Sequence, residues 1–195
     1  MTGLVPKQTE IPTQPPTRGR YQIAARSPVS IIIEVGALVM ALALGLLIRA
    51  TLYGSAVISG PSMEPTLPPG EQVLVSKNAY KVHSPQRGDI VLVKVREGNN
   101  EVAVVKRVVG LPGEEVIVAG GFLFINRRLV AEPYLKEQPD INLPRRWVVP
   151  SGHYFLLGDN RNHSMDSRDY GPVPRSSFIG KVFFVYYPFD RMRKI

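Results

Sequence analysis

The sequence predicts a mainly β protein, with a compact, all-β barrel- or sandwich-like domain carried behind one N-terminal membrane-spanning helix. Three observations lead to this. Residues 29–48 form an apolar stretch with Glu34 as its only charge, and a spanning helix needs about 20 such residues. Beyond residue 58, short runs rich in Val, Ile and aromatic residues alternate with Gly, Pro and Asn, the punctuation of many short strands. No ten-residue stretch past the apolar segment carries a helical period.

The elements follow in chain order. Residues 1–28 are expected to form a disordered tail, because Pro6, Pro12, Pro15 and Pro16 stand among Thr, Gln and Gly and leave no amphipathic face to bury. Residues 29–48 read as a retained anchor. A cleavable export signal has a shorter apolar core of about 7–15 residues and small residues at its cut site. Here the leader is 28 residues long and Arg49 follows the core directly. Glu34 lies near one end of the span, where a charge reaches the interface more easily than at mid-bilayer. Arg18, Arg20, Arg26 and the more distant Lys7 precede the span, whereas only Arg49 follows it before Lys77. That asymmetry places the N-terminus in the cytoplasm and residues 49–195 across the membrane.

Net charge is +8, and beyond residue 50 there are 19 basic against 14 acidic residues. Such a surface suits nucleic acid or anionic lipid. The topology favours a solvated face beside a lipid bilayer, so no nucleic-acid partner is expected. With no cysteine, a disulfide framework and a thiolate zinc site are both excluded. The three histidines lack helical ligand spacing, so neither a metal nor a cofactor is expected.

Residues 50–57 read as a short connector. Strands are expected at 71–77, 89–96, 101–109, 114–119, 122–126, 146–149, 153–157 and 178–187. Tight turns fall at Gly98-Asn99-Asn100, Gly120-Gly121 and Asn126-Arg127-Arg128. Many short strands over about 135 residues suggest one barrel or sandwich around a single core.

Three clusters carry possible chemistry. Lys106 sits in the β-branched run Val102-Ala103-Val104-Val105-Lys106-Arg107-Val108-Val109, where alternation puts Val102, Val104 and Val108 on its own face. Burial among valines favours the neutral amine and lowers its pKa, and a neutral lysine is a competent general base. Taken singly, a lysine that snorkels or pairs at a strand end explains the same residue. Ser62 lies in Ser59-Gly60-Pro61-Ser62-Met63-Glu64-Pro65. Its prolines and glycine can fix an N–H and Oγ in the directions that an oxyanion hole and a nucleophile require, although such a Ser is often only a turn former. Third, Gly158-Asp159-Asn160-Arg161-Asn162-His163-Ser164-Met165-Asp166-Ser167-Arg168 packs donors, acceptors and both charges into one loop. Asp166 and Arg168 are spaced for a local ion pair, and Ser164 can hold an amine by its hydroxyl. A Ser-His-Asp arrangement would draw on His83, His153 or His163, but nothing in their scattered positions singles one out.

These clusters, in this order behind an anchor, resemble the bacterial type I signal peptidases (leader peptidases) of peptidase family S26. The matching stretches are 59–67, Arg-Gly-Asp-Ile-Val at 87–91, Lys-Arg-Val-Val-Gly-Leu-Pro-Gly at 106–113, and 158–168. The resemblance implies a membrane-bound serine endopeptidase that removes N-terminal signal peptides from exported preproteins, cutting after small residues at −1 and −3. It implies Ser62 as nucleophile, Lys106 as general base, Ser164 as the serine that positions the amine, and Asp159, Asp166 and Arg168 as braces. Ile58, Met63, Leu67 and Val104 would line the substrate pockets. Members from Gram-negative bacteria carry an oxyanion-binding serine where this chain has Gly60, so the oxyanion hole is assigned to the Ser62 N–H, with the second donor at Gly60 left open. The short segment 113–147 implies that the large inserted β-domain of those members is absent. Plasma and thylakoid membranes both fit. Two readings from other classes are a catalytically inactive, membrane-anchored β-domain acting as a binding or assembly module, and a self-cleaving repressor. The repressor needs a DNA-binding helix pair that residues 1–28 do not show.

Overall fold

The structure is a computed structural model that describes residues 27–98, 100–135 and 143–195. The expected tail, apart from its last two residues, lies outside the described residues.

A single long helix, α1 (Pro28–Leu52), opens the fold. Pro28 occupies its first position, where the missing N–H costs nothing. Ser27 caps it, accepting the Ser30 N–H on Oγ at 3.3 Å and the Ser30 hydroxyl on its carbonyl at 2.8 Å. At 25 residues the helix is about 37 Å long; it is long and apolar enough to cross a membrane. Ile32, Leu38, Val39, Met40 and Leu42 are all exposed along it, as lipid-facing side chains are. By its internal contacts the chain divides within this helix into Met1–Leu42 and Ala43–Ile195.

No connector follows the helix. The residues expected to link it to the domain are its last turn and a first strand, β1 (Tyr53–Val57). Lys77 secures the junction: its Nζ donates to the Ala50 carbonyl at 3.0 Å and its N–H to that of Leu52 at 2.9 Å, satisfying carbonyls that a helix end leaves orphaned. β1 escapes sequence reading because Gly54 and Ser55 dilute its strand propensity.

The remaining strands are β2 (Gln72–Ser76), β3 (Ile90–Glu97), β4 (Asn100–Gly110), β5 (Glu115–Ala119), β6 (Phe122–Ile125), β7 (Arg128–Leu129), β8 (Arg145–Val148), β9 (His153–Leu157), β10 (Val173–Pro174), β11 (Phe178–Tyr187) and β12 (Arg193–Lys194). Short helices α2 (Ala79–Val82) and α3 (Ser167–Tyr170) punctuate them. An eight-stranded antiparallel sheet runs β1-β2-β11-β3-β4-β9-β10, with β12 beside β11, and a four-stranded sheet runs β7-β6-β5-β8. The two-residue turns Gly120-Gly121 and Asn126-Arg127 have both residues at positive φ, as type I′ hairpins require.

The expected single core is in fact three clusters, because both faces of the large sheet are covered. Ile58, Met63, Leu67, Val73, Val75, Ile90, Val182 and Val185 form one. Val91, Val93, Val108, Tyr154 and Leu156 join a second with Tyr80 and Val173. In the third, alternate residues of the small sheet (Val116, Val118, Leu123 and Ile125) pack on Val109, Phe155 and Leu157 of the large one. Period-two alternation is visible within β9 itself, where Tyr154 and Leu156 serve one cluster and Phe155 and Leu157 another. Phe155 is fully buried, with its ring 4.9 Å from that of Trp147 on β8. Replacing Phe155 by Ala is therefore expected to destabilise the domain by about 3–5 kcal/mol. Urea unfolding followed by Trp147 fluorescence checks this; an unchanged midpoint would contradict the joint packing of the two sheets.

Candidate active site

Three segments meet around Lys106. The first is the turn after β1. Pro61–Met63 form a single 3-10 turn with Pro61 at its start, and buried Met63 and Leu67 pin it from below. Backbone bonds Glu64 N–H to Pro61 O (3.0 Å) and Leu67 N–H to Met63 O (2.8 Å) tighten it. Ser62, half-buried, is thus carried on a backbone with little freedom.

The second segment is the middle of β4. Lys106 lies opposite Val91 of β3 and is only 3% exposed. Its Nζ donates to Ser164 Oγ at 3.1 Å. Burial pushes the pKa of this amine below the ordinary lysine value, and the nearby Arg168 guanidinium adds to the effect; the carboxylates of Asp166, Asp159 and Asp169 oppose it.

The third segment is the loop 158–168, which bonds largely to itself. Asp166 caps α3 in a capping box with Asp169. Its carboxylate also accepts the Gly158 N–H at 3.0 Å and both Arg168 prongs at 2.8 Å. Arg168 Nη2 continues to the carbonyls of Arg161 (2.7 Å) and Ser164 (3.3 Å). Asp159 accepts Arg107 Nε at 2.8 Å and Nη2 at 2.6 Å, and the Thr66 hydroxyl at 2.5 Å. It therefore ties the residue after Lys106 to the end of the Ser62 turn.

Gly158 shows how closely these segments approach. A Cβ there would lie 2.2 Å from Ser164 Oγ and 2.5 Å from the Ser62 carbonyl oxygen, inside any permissible contact. The Ser62 carbonyl also accepts the Asn160 N–H at 3.0 Å. Gly60, by contrast, is extended (φ −125°, ψ 167°) and has nothing within 4 Å of an added Cβ.

Ser62 and Lys106 line one groove of about 440 Å³, together with Ile58, Gly60, Met63 and Val104. Leu67 does not line it; that side chain is fully buried in the core beneath the turn. Two strand edges border the groove. β1 pairs only with β2, and residues Glu101–Val105 of β4 pair only with β3, among the described residues, because β9 begins its pairing at Arg107. His153 bonds the Ser151 carbonyl and His163 the Asn160 side chain; His83 is exposed. Sequence reasoning gave no separate role to Arg107, Thr66, Arg161 or Glu132. Strand alternation carries a signal for Arg107, next to Lys106 on the opposite face. Glu132 has none, as it lies in a stretch without period.

Residues 31–187 match the family described as Signal peptidase, peptidase S26, and the chain belongs to that family of serine endopeptidases. It is 41% identical over 170 residues to Signal peptidase I of Bacillus licheniformis, covering 82% of this chain and 90% of that one. With Probable signal peptidase I-1 of Synechocystis the identity is 38% over 160 residues, 79% of this chain and 81% of the relative. A crystal structure of a signal peptidase I from Enterococcus faecalis is 35% identical, covers 50% of this chain and 96% of its own, and has a TM-score of 0.44.

Gly158→Ala tests the closeness of the segments. Forcing Ser164 and the Ser62 backbone apart is expected to lower peptide cleavage about 100-fold, the scale of a 1 Å misplacement. Cleavage at the wild-type rate by this variant would contradict the packing described.

Proposed function

We propose that the protein is a single-pass membrane endopeptidase that uses Ser62 and Lys106 to remove signal peptides from exported preproteins. The observation that carries this reading is the buried Lys106 amine, held by Ser164 Oγ in the groove that also contains Ser62. Membership of the signal peptidase family supports the substrate class.

In this reading the preprotein segment enters the groove extended and pairs with the free edges of β1 and β4, so main-chain bonds align the scissile carbonyl. Neutral Lys106 takes the Ser62 hydroxyl proton as Oγ bonds to that carbonyl carbon. The carbonyl electrons move onto oxygen, which the Ser62 N–H stabilises. On collapse the C–N bond breaks, and the departing amine takes the proton from Lys106. Lys106 next deprotonates a water that attacks the acyl ester, and Ser62 Oγ leaves with the proton returned. Asp159, Asp166 and Arg168 act by holding the loop that presents Ser164. Ile58, Met63 and Val104 shape the groove for small residues at −1 and −3, and Leu67 supports them from the core. The open space beside Gly60 leaves room for solvent or substrate to supply a second oxyanion donor.

Residues 29–48 serve as the anchor in this account, with residues 1–28 in the cytoplasm and 49–195 outside it, following the basic residues that precede the span. Only nine residues lie between the end of α1 at Leu52 and Ser62, which favours substrates held in the same bilayer. Confinement of both partners raises their effective concentration.

Cleavage of a preprotein by the wild type, Ser62→Ala and Lys106→Ala tests the reading directly. Both variants are expected to be inactive while still folded. Wild-type kcat/KM should rise with pH as Lys106 loses its proton, with a midpoint below about 10.4, the ordinary lysine value. Undiminished cleavage by either variant, or an activity that falls as pH rises through neutrality, would refute it.

A further inference from the structure

Glu132 lies between β7 and β8, far from Lys106 in sequence, yet its carboxylate is among the most enclosed charges in the molecule. It faces Arg161 as a two-pronged pair, with Nη1 donating to Oε2 at 2.9 Å and Nη2 to Oε1 at 2.5 Å. The two side chains are 5% and 2% exposed. Tyr134 donates its hydroxyl to Glu132 Oε1 at 2.5 Å, and the Tyr134 ring lies under the Arg107 guanidinium at 4.0 Å. The third nitrogen position of Arg161, Nε, donates to the Gly158 carbonyl at 3.0 Å.

Replacing a buried pair of this kind with apolar residues is often neutral or stabilising, whereas removing one partner leaves an uncompensated charge. Stability is therefore a weak explanation for it, and its connections indicate orientation instead. Arg161 holds the Gly158 carbonyl with its side chain and accepts Arg168 Nη2 on its own carbonyl. That same Arg168 nitrogen reaches the Ser164 carbonyl, and Ser164 Oγ accepts the Lys106 amine. A second route runs through Tyr134 and Arg107 to Asp159 and Thr66.

We propose that Glu132 is a positioning residue for peptide cleavage: by fixing Arg161 it holds the 158–164 loop so that Ser164 Oγ stays on the Lys106 amine and the Gly158–Asn160 backbone stays on Ser62. The proposal rests on the Ser62–Lys106 reading above. The segment around residues 131–135 thereby makes the small sheet a support for the catalytic loop.

The groups that face Lys106 are Asp159, Asp166, Arg168 and Asp169, with the Ser164 hydroxyl. Replacing Glu132 by Gln leaves the Arg161 cation unpaired, which through space lowers the Lys106 pKa, so an upward shift at the amine comes through the loop. Once Ser164 drifts and water reaches Lys106, its protonated form is better solvated, and the ascending limb of the pH–rate profile moves to higher pH.

The test uses the full chain in detergent micelles and a synthetic preprotein peptide with Ala at −1 and −3. For Glu132→Gln, kcat is expected to fall about 10- to 100-fold with KM within about two-fold of wild type, and the ascending limb to move up in pH. The pair Glu132→Ala with Arg161→Met is expected to cost no more than Glu132→Ala alone, because the two act as a unit. Folding is followed by the fluorescence of Trp147, the only tryptophan. Wild-type kcat and an unmoved limb in Glu132→Gln would overturn the proposal. So would a loss of kcat that only tracks the folded fraction, with the limb unmoved. Ser62→Ala and Lys106→Ala in the same assay separate the two levels of the argument. If both are inactive while Glu132→Gln is fully active, the positioning role alone fails; if either cleaves normally, the dyad reading fails and the positioning role falls with it.

Discussion

The constraint on which the site depends is the burial of one amine. Lys106 occupies the middle of a strand whose neighbours are valines, and water is almost wholly excluded from it. A charged ammonium is costly there, and the neutral amine is favoured. A neutral amine still needs a partner, and Ser164 Oγ supplies one. Presenting that hydroxyl requires the loop from Gly158 to Arg168 to turn back on itself against β4 and the Ser62 turn. Asp166 and Arg168 close the loop internally, and Asp159 and Arg107 lock it to the strand and to Thr66. The absent side chain of Gly158 permits the approach. The buried charges beside Lys106 are paired with one another, Asp166 with Arg168 and Asp159 with Arg107, while the amine itself meets a hydroxyl.

Much of this was legible in the sequence, for local reasons. The β4 run announces a strand through its β-branched residues, and period two then places Lys106 among valines. The Pro-Ser-Met-Glu-Pro turn and the polar 158–168 loop carry their own turn chemistry, and Asp166 and Arg168 are close enough in sequence for their pairing to be expected. What could not be read is non-local. Glu132 meets Arg161 only because the small sheet folds back over the large one. Arg107 meets Asp159 across 52 positions. β1 lacked a strand signature and exists because β2 offers it an edge. The single core anticipated from strand count became three clusters once one sheet was covered on both faces.

The last turn of the apolar helix passes into β1 through a short, bonded junction rather than a linker. Lys77 binds the carbonyls of Ala50 and Leu52 and belongs to the turn that ends β2. β1 begins at Tyr53, directly after Leu52, and leads into the Ser62 turn. The same strand thus follows the helix and borders the groove.

Burial lowers the pKa of the Lys106 amine below that of an ordinary exposed lysine. Titrating the 13Cε resonances of lysine-labelled full chain in micelles, with Lys106→Arg to assign the signal, measures this directly. The account predicts one lysine resonance, absent from the variant, that titrates clearly below the group formed by the exposed lysines. A Lys106 signal that titrates together with them would contradict it.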